Sequence, residues 1–448
     1  MIERVKSLSQ SGIVRKVFSN TSWLTIEKIL IMGISLAVSV YLARVLGPAG
    51  WGKLNYLLAL VTLLGPFTSL GLNAIVTREL VNRPNDTEKI MATTITLRFL
   101  SGVLGVLLCA LLAMLLIKGD KQEFILVLML LVSSLFNSGK VVEFWFQSRM
   151  QNKYVSIFRV ILRLAFAVAK VLAVMWTDEF WVLVLVFALE FAFLGIGYIL
   201  LFLARGGILN LRALDFNYGF GLVRQSFWLI LSTMASVIYL KVDQIMLESM
   251  RGDVSVGIYA VAVRLSEVWF FFPVAFAAAL FPVLLKARTD NQARYQTQLQ
   301  ISCDLLLYGA LILTAMVIWV APWFVTSVFG GEYKNSASVL SIHILGSSFV
   351  FMRALVSKWL IAESLLRYSL WSDGLGAISN VILNLILIPK YGYWGAAWAT
   401  VLSYFVSCYL CFWVFSDTRP IARVMTRSIL LPINWHKSFR QIPTNQYR

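Results

Sequence analysis

Twelve apolar runs of about 20 or more residues are the feature of this 448-residue sequence that most limits its fold. Such a run crosses the hydrocarbon of a membrane as a helix, because lipid offers no other partner for backbone polar groups. The runs are continuous and lack the strict alternation of a membrane β-barrel. We therefore predict an all-α polytopic membrane protein with about 12 transmembrane spans, near residues 21–43, 54–77, 90–117, 124–148, 155–176, 180–203, 220–247, 255–285, 299–328, 337–361, 367–388 and 394–415.

The basic residues predict the orientation of these spans, since Lys and Arg favour cytoplasmic loops. Alternate segments that include both chain ends hold 21 Lys and Arg residues, and the other loops hold 7. Both termini are therefore predicted to be cytoplasmic. This bias explains much of the net charge of +17, and it makes anionic membrane lipids the expected partners of the loops. Nucleic acid is not an expected partner, because the charge does not lie on one soluble face.

A repeated pattern indicates that the chain has two similar halves. Gly52 precedes a tyrosine after the first span, and Gly257 precedes one after the seventh. These glycines are 205 residues apart (257 − 52), and two prolines, Pro66 and Pro273, are 207 apart (273 − 66). Chance similarity of two short loops is the alternative. We predict two pseudo-symmetric six-helix bundles in parallel orientation, an arrangement typical of transporters.

These observations divide the chain into four predicted parts. Residues 1–20 form a cytoplasmic interfacial segment, 21–205 the N-terminal bundle, 206–416 the C-terminal bundle and 417–448 a basic cytoplasmic tail.

The two prolines fall in the middle of spans 2 and 8. A proline inside a helix removes a backbone hydrogen bond and kinks the helix. Pro66 and Pro273 are therefore predicted hinges, with static accommodation in the membrane as the alternative.

Span 5 carries a row of positive charges. Arg159, Arg163 and Lys170 lie at roughly 0°, 40° and 20° around the helix axis, so they share one face. Charge facing lipid is costly, and this face is therefore expected to point into the protein. Glu143 and Glu190 are possible partners, which would make the row structural. Because two carboxylates leave one cation over, we favour a cavity that binds an anion.

Span 7 contains Lys241 and Asp243, which point to opposite sides because their spacing turns about 200°. We expect Asp243 to pair with Arg264 of span 8 and Lys241 to face the cavity. The full set of predicted substrate-binding residues is Arg159, Arg163, Lys170, Lys241, Arg264, Lys28, Arg98 and Arg353. The carboxylates predicted to be structural or coupling charges are Asp243, Glu143, Glu190 and Glu267.

Several sequence motifs do not occur in this chain, which argues against some classes of function. The pattern GxxxxGK[ST] of an ATPase does not occur, and the only histidines are His343, interpreted as a packing residue, and His436. The four cysteines fall within or beside apolar spans, so we interpret them as small apolar residues. We predict no cofactor, no metal site and no enzymatic activity.

Three parts of the chain resemble the polysaccharide (O-antigen, Wzx-type) flippases of the multidrug/oligosaccharidyl-lipid/polysaccharide (MOP) exporter superfamily. They are LARVLGPAGWGKLNYLLALVTLLGPFTSLGLNAIVTREL, YLKVDQIMLESM with VGIYAVAVRLSE, and NVILNLILIPKYGYWGAAWATVLSY. The resemblance implies a protein of the bacterial inner membrane that moves undecaprenyl-diphosphate-linked oligosaccharide repeat units to the periplasmic leaflet. Polysaccharide polymerase and a chain-length regulator would be further partners. We expect an alternating-access mechanism.

Three alternatives stay open. A MATE-like drug/cation antiporter of the same superfamily would centre on carboxylates such as Asp243 or Glu190. Lipid II flippases also resemble this chain but typically have fourteen helices. A non-transporting scaffold would depend on charges in its loops and not on charges in a cavity.

Overall fold

The computed structural model describes residues 12–117 and 120–438 of the chain. These residues form α-helices joined by short 3₁₀ and π-helical segments and contain no β-strand, which confirms the predicted all-α class. The first nine helices are α1 (Gly12–Thr62), α2 (Gly65–Ser69), α3 (Asn73–Asn82), α4 (Thr87–Leu116), α5 (Lys121–Ser134), α6 (Val142–Ser148), α7 (Asn152–Trp176), α8 (Phe180–Ala204) and α9 (Phe216–Arg251). The others are α10 (Asp253–Glu267), α11 (Phe271–Asp290), α12 (Gln292–Phe329), α13 (Lys334–His343), α14 (Ser347–Ala362), α15 (Arg367–Tyr391), α16 (Tyr393–Phe405), α17 (Cys411–Val414) and α18 (Arg419–Ser438).

Within the described residues, ten helical stretches are long and apolar enough to cross a membrane, compared with twelve predicted spans. Spans 1 and 2 count as one stretch, because α1 continues from one into the other across a kink at Gly47. Span 5 is α7, a helix of 25 residues that carries too many charged side chains to be counted among the ten. Each of the twelve predicted spans thus coincides with helical structure.

The internal repeat is visible in the backbone. Gly47 has φ 65° and ψ 178° at the kink between the first two spans. Gly252 has φ 77° and ψ 175° between spans 7 and 8, just before α10 begins. Side chains other than glycine rarely adopt such positive φ values. The two glycines are 205 residues apart (252 − 47), the separation found for the sequence pattern, so the two halves share this turn.

The second helix of each half is broken at the corresponding place. α1 ends at Thr62 and α2 begins at Gly65, whereas α10 is followed by the 3₁₀ segment Val268–Phe270 before α11 begins. Pro66 and Pro273 then lie in the first turn of the new helix, where the missing N–H removes no helical hydrogen bond. We expected each proline to lie in the middle of a bent helix. In the structure, each lies just after a break between two helices.

The chain forms two compact units, Met1–Val237 and Ile238–Arg448. Their boundary falls inside α9, whereas the boundary predicted from the sequence lies between residues 205 and 206. The reason is that the start of α9 belongs to the first unit. There the Arg78 Nη2 donates to Gln225 Oε1 at 2.8 Å, and the Tyr218 hydroxyl donates to Glu79 Oε2 at 3.2 Å.

The segment predicted as a basic tail is largely the helix α18, which packs along α12. Gln300 Nε2 donates to the Val424 carbonyl oxygen at 3.2 Å, and the Tyr308 hydroxyl donates to the Ser428 carbonyl oxygen at 3.1 Å. The prediction of a tail was wrong for this part because buried side chains of α18 complete the packing around α12. Residues 439–448, and residues 1–11 of the predicted N-terminal segment, lie outside the described residues.

Candidate functional site

A cavity of about 530 Å³ with several charged lining residues lies inside the first unit, between the broken second span and helices α4 to α8. Its charged lining side chains are Arg98, Lys140, Glu143, Arg163 and Glu190. Charges within membrane-spanning segments are expensive unless they are paired or face water, and they therefore mark functional sites. This concentration of charge makes the cavity the candidate site.

A short 3₁₀ segment, Leu135–Val141, directs two polar side chains into the cavity. Residues three apart lie on the same side of a 3₁₀-helix, and both Asn137 and Lys140 line the cavity. Gly139 lies directly against the backbone of α8, since a Cβ at this position would clash with the Gly195 carbonyl oxygen. The two glycines thus permit the close approach that fixes the position of Lys140.

Replacing Gly195 by alanine is expected to destabilise the first unit by about 1–3 kcal/mol, the usual cost of overpacking a dense interior. The new methyl group would overlap the Phe136 carbonyl oxygen, and backbone atoms cannot move aside as a flexible side chain can. Thermal unfolding of the purified protein in detergent measures this effect. Gly33→Ala is the matched control, because a Cβ there meets no atom within 4 Å; equal melting temperatures for the two variants would contradict the prediction.

Arg98 contributes a guanidinium group that is only partly used. Its side chain is 4% exposed, and its Nε donates to the Thr68 carbonyl oxygen at 2.6 Å. This carbonyl lies in the short helix α2, beside the end at which helical carbonyls lose their partners. Arg98 Nη1 and Asn137 Oδ1 are buried and have no hydrogen-bond partner among the described residues.

Lys140 is the second cation of the cavity that can still bind a ligand. No ion pair between described residues includes it, although Arg98, Arg159, Arg163 and Glu143 all act on it electrostatically. Together, Arg98 and Lys140 offer hydrogen-bond donors and positive charge to a molecule in the cavity. Such donors suit an anion, and phosphate oxygens in particular.

The row of cations on α7 is neutralised within the first unit. Arg159 Nη1 lies 2.8 Å from Glu27 Oε1, and its Nη2 lies 2.8 Å from Glu143 Oε1. Glu190 Oε1 lies 2.5 Å from Arg163 Nη1, and Glu190 Oε2 lies 2.5 Å from Lys170 Nζ. The prediction that one cation of this row lacks a carboxylate was wrong, because Glu27 of α1 supplies a third carboxylate.

Of the three cations in this row, only Arg163 lines the cavity. Arg159 also donates from Nε to the Tyr198 hydroxyl oxygen at 2.9 Å, and Lys170 lies over the Phe187 ring with Nζ 3.8 Å from its centroid. The row therefore links α7 to α1, α8 and the segment that holds Glu143.

A positive surplus nevertheless exists around the cavity. The described network has five cations and three carboxylates, namely Arg98, Lys140, Arg159, Arg163 and Lys170 with Glu27, Glu143 and Glu190. The two cations in excess are Arg98 and Lys140, because the other three cations are paired with carboxylates.

Lys140 was not among the site residues predicted from the sequence. Its signal was the polar stretch FNSGK (residues 136–140), which interrupts the otherwise apolar fourth span. Lys28, which was predicted to bind substrate, is exposed on α1 and does not line the cavity.

The other predicted site residues belong to the second unit. Lys241, Arg264 and Glu267 are half-buried on α9 and α10. Arg353 Nη2 lies 3.8 Å from Asp373 Oδ1, and Arg353 Nη1 donates to the Ser357 hydroxyl oxygen at 2.8 Å.

Asp243 is 2% exposed and lies among hydroxyl groups. It accepts hydrogen bonds from the Tyr259 hydroxyl on α10 and from Thr400 Oγ1 on α16 at 3.4 Å. Asp243 thus contacts span 8 through Tyr259, and its pairing with Arg264 stays a prediction. His343 is also buried, with Nδ1 3.0 Å from the Ser266 hydroxyl oxygen.

The sequence profile of a family described as polysaccharide biosynthesis protein matches residues 17–288 of the chain. An uncharacterized membrane protein of Methanocaldococcus jannaschii is 25% identical over 190 residues, which cover 42% of this chain and 44% of that protein. The probable low-salt glycan biosynthesis flippase Agl15 of Haloferax volcanii is 24% identical over 203 residues, 45% of this chain and 43% of that protein. The chain thus spans less than half the length of these curated relatives.

Solved structures share the fold at low sequence identity. The lipid II flippase MurJ, in an inward closed conformation, has a TM-score of 0.69 and 14% identity, with coverage of 96% of this chain and 94% of that one. An inward-facing multidrug resistance MATE family transporter of the MOP superfamily has a TM-score of 0.67 and 13% identity, with coverage of 91% and 99%. The chain therefore has the fold of MOP transporters.

Proposed function

The chain belongs to the family of polysaccharide biosynthesis proteins, and we propose that it is a flippase for undecaprenyl-diphosphate-linked oligosaccharide repeat units. It would move them across the bacterial inner membrane for the assembly of O-antigen or a related polysaccharide. The observation that carries this proposal is the pair of cations with unused donors, Arg98 and Lys140, in a cavity whose other charges are paired.

The chemistry of the substrate matches this pair. A diphosphate diester carries two negative charges, which equals the positive surplus around the cavity. Arg98 can donate from Nη1 to a phosphate oxygen while its Nε stays on Thr68, and the Lys140 ammonium can act as a compact point charge. The hydroxyl and amide groups of Thr62, Ser69 and Asn73 also line the cavity and can hydrogen-bond to sugar hydroxyls.

The proposed mechanism is alternating access. The diphosphate and sugars enter the cavity that holds Arg98 and Lys140, the polyprenyl tail remains in lipid, and the two bundles then reorient toward the periplasm. The proposed hinges are the breaks in the second and eighth spans just before Pro66 and Pro273, since few backbone hydrogen bonds oppose bending there. We propose Asp243 as a structural or coupling charge of the second unit.

The proposed substrate also indicates the cellular location and the partners of the protein. We place both termini in the cytoplasm of a bacterial cell, with the protein in the inner membrane. A polymerase that joins the repeat units, together with its chain-length regulator, would consume the translocated product.

Translocation by the full-length protein in reconstituted vesicles tests the proposal. A fluorescent undecaprenyl-diphosphate oligosaccharide is added to one leaflet, and its arrival in the other is followed by quenching. We expect transport of this lipid above the rate in empty vesicles, and inhibition by unlabelled lipid of the same kind.

The same vesicles separate the proposal from its alternatives. Transport of organic cations against a proton or sodium gradient, without movement of the lipid diphosphate, would instead identify an antiporter. Equal or faster transport of lipid II would move the substrate assignment to that lipid.

A further inference from the structure

A second polar cavity, of about 480 Å³, lies between α12, α14 and α18 in the second unit. Its charged lining residues are Glu363, Asp417, Arg423 and Arg427. The proposed transport function does not use this cavity, to which α12 and α18 contribute most of the lining residues.

The cavity lies at one end of the spans around it. Gln292 is the first residue of α12, Glu363 follows α14, and Asp417 precedes α18. Because successive spans alternate in direction, the chain segments that contain Gln292, Glu363 and Asp417 lie on the same side of the membrane. The distribution of Lys and Arg predicts that this is the cytoplasmic side, where anionic lipid headgroups are concentrated.

Both carboxylates of the cavity are already paired with other groups. Glu363 Oε2 lies 2.9 Å from Arg288 Nη2. Asp417 Oδ2 accepts hydrogen bonds from the Tyr368 hydroxyl at 2.6 Å and from Arg367 Nη2 at 3.0 Å. The bond from Tyr368, with that from Arg367, holds the pKa of Asp417 below its ordinary value, so this side chain is ionised at neutral pH.

The two arginines of the cavity have no such partners. No ion pair between described residues includes Arg423 or Arg427, and both side chains are exposed. Four residues apart on one helix, they lie on the same face, and Gln292 and Gln296 of α12 line the same cavity with the same spacing. The cavity thus combines two guanidinium groups with two amides, all of which can donate to phosphate oxygens.

The relative position of the two helices is held by Gln300. Its Nε2 donates to the Val424 carbonyl oxygen at 3.2 Å and to the Ser428 hydroxyl oxygen at 2.9 Å. The arginines are therefore presented by a packed helix and not by a loose chain. Apolar side chains, including Leu299 and Leu365, complete the lining, which favours a ligand with an apolar part over a free phosphate ion.

We propose that this cavity binds the headgroup phosphate of an anionic phospholipid from the cytoplasmic leaflet, held by Arg423 and Arg427 with Gln292 and Gln296 as further donors. The site is separate from the proposed transport cavity and does not depend on which molecule the protein transports. It would fasten α18 to the membrane surface.

Lipid binding to the purified full-length protein in a neutral detergent tests this proposal. Phosphatidylglycerol is added stepwise, with phosphatidylcholine as the zwitterionic comparison, and the bound lipid is counted in native mass spectra. We expect the wild type to prefer phosphatidylglycerol. In Arg423→Gln/Arg427→Gln the affinity for phosphatidylglycerol should fall by roughly tenfold or more, because each basic residue near the surface adds to the attraction.

The control variant is Arg294→Gln/Arg419→Gln, which also removes two positive charges, one from α12 and one from α18, outside the cavity lining; it should retain the preference. Arg423→Lys/Arg427→Lys should retain most of the preference and shows that the helix still folds. An unchanged preference in the glutamine variant would overturn the proposal. Displacement of the lipid by millimolar inorganic phosphate would also overturn it in favour of a free-phosphate site.

Discussion

Transport of the lipid-linked oligosaccharide is expected to fall at least about 100-fold when Arg98 and Lys140 are both replaced by glutamine. A hydrogen bond to a charged group contributes roughly 1.5–3 kcal/mol, and each 1.4 kcal/mol corresponds to about tenfold in affinity. Two such donors are lost, while the paired cations of α7 have no spare charge to replace them. Initial rates of translocation in reconstituted vesicles measure the effect.

The matched control is Lys121→Gln/Arg212→Gln, which removes two exposed cations from the same unit and should transport at the wild-type rate. The single variant Lys140→Gln is informative because Lys140 has no ion pair with a described residue to disturb. If the double variant is folded and transports normally, Arg98 and Lys140 do not hold the diphosphate.

Glu190→Gln is expected to destabilise the protein by about 3–5 kcal/mol, the usual effect of removing one partner from a buried ion pair. Glu190 is 2% exposed and neutralises both Arg163 and Lys170. The substitution keeps the shape of the side chain but leaves two cations without their carboxylate. Thermal unfolding in detergent measures the loss.

Two further variants identify the cause of this loss. Glu179→Gln removes an exposed carboxylate just before the same helix and should change stability by less than about 0.5 kcal/mol. Adding Lys170→Gln to Glu190→Gln removes one of the two cations that Glu190 neutralised and should restore part of the stability. If Glu190→Gln unfolds at the wild-type temperature, the ion pairs on α7 do not hold the bundle together.

The helical architecture could be predicted from sequence because local physics decides it. An apolar run long enough to span a bilayer has no stable alternative to a helix. The internal repeat could also be predicted from the sequence, since Gly47 and Gly252 adopt backbone angles that favour glycine. The prolines indicated where the second helix of each half is interrupted, although the break itself precedes Pro66 and Pro273.

The site could be predicted only in part. Helical geometry correctly placed Arg159, Arg163 and Lys170 on a face that points into the protein. It could not show that Glu27, on a helix distant in sequence, completes their neutralisation. Lys140 was missed because the short polar stretch FNSGK does not by itself reveal the 3₁₀ turn that directs the lysine into the cavity.

The sequence by itself determined the all-helical membrane fold, its two-fold internal repeat and the presence of charges that must face inward. These properties follow from the cost of exposing backbone polar groups and charges to lipid, which acts on each span separately. The tertiary structure alone decided which cations are neutralised and which remain available, and that Arg419–Ser438 is a helix packed on α12. Pairing depends on contacts between spans far apart in the chain, so the periodicity of a single helix cannot reveal it.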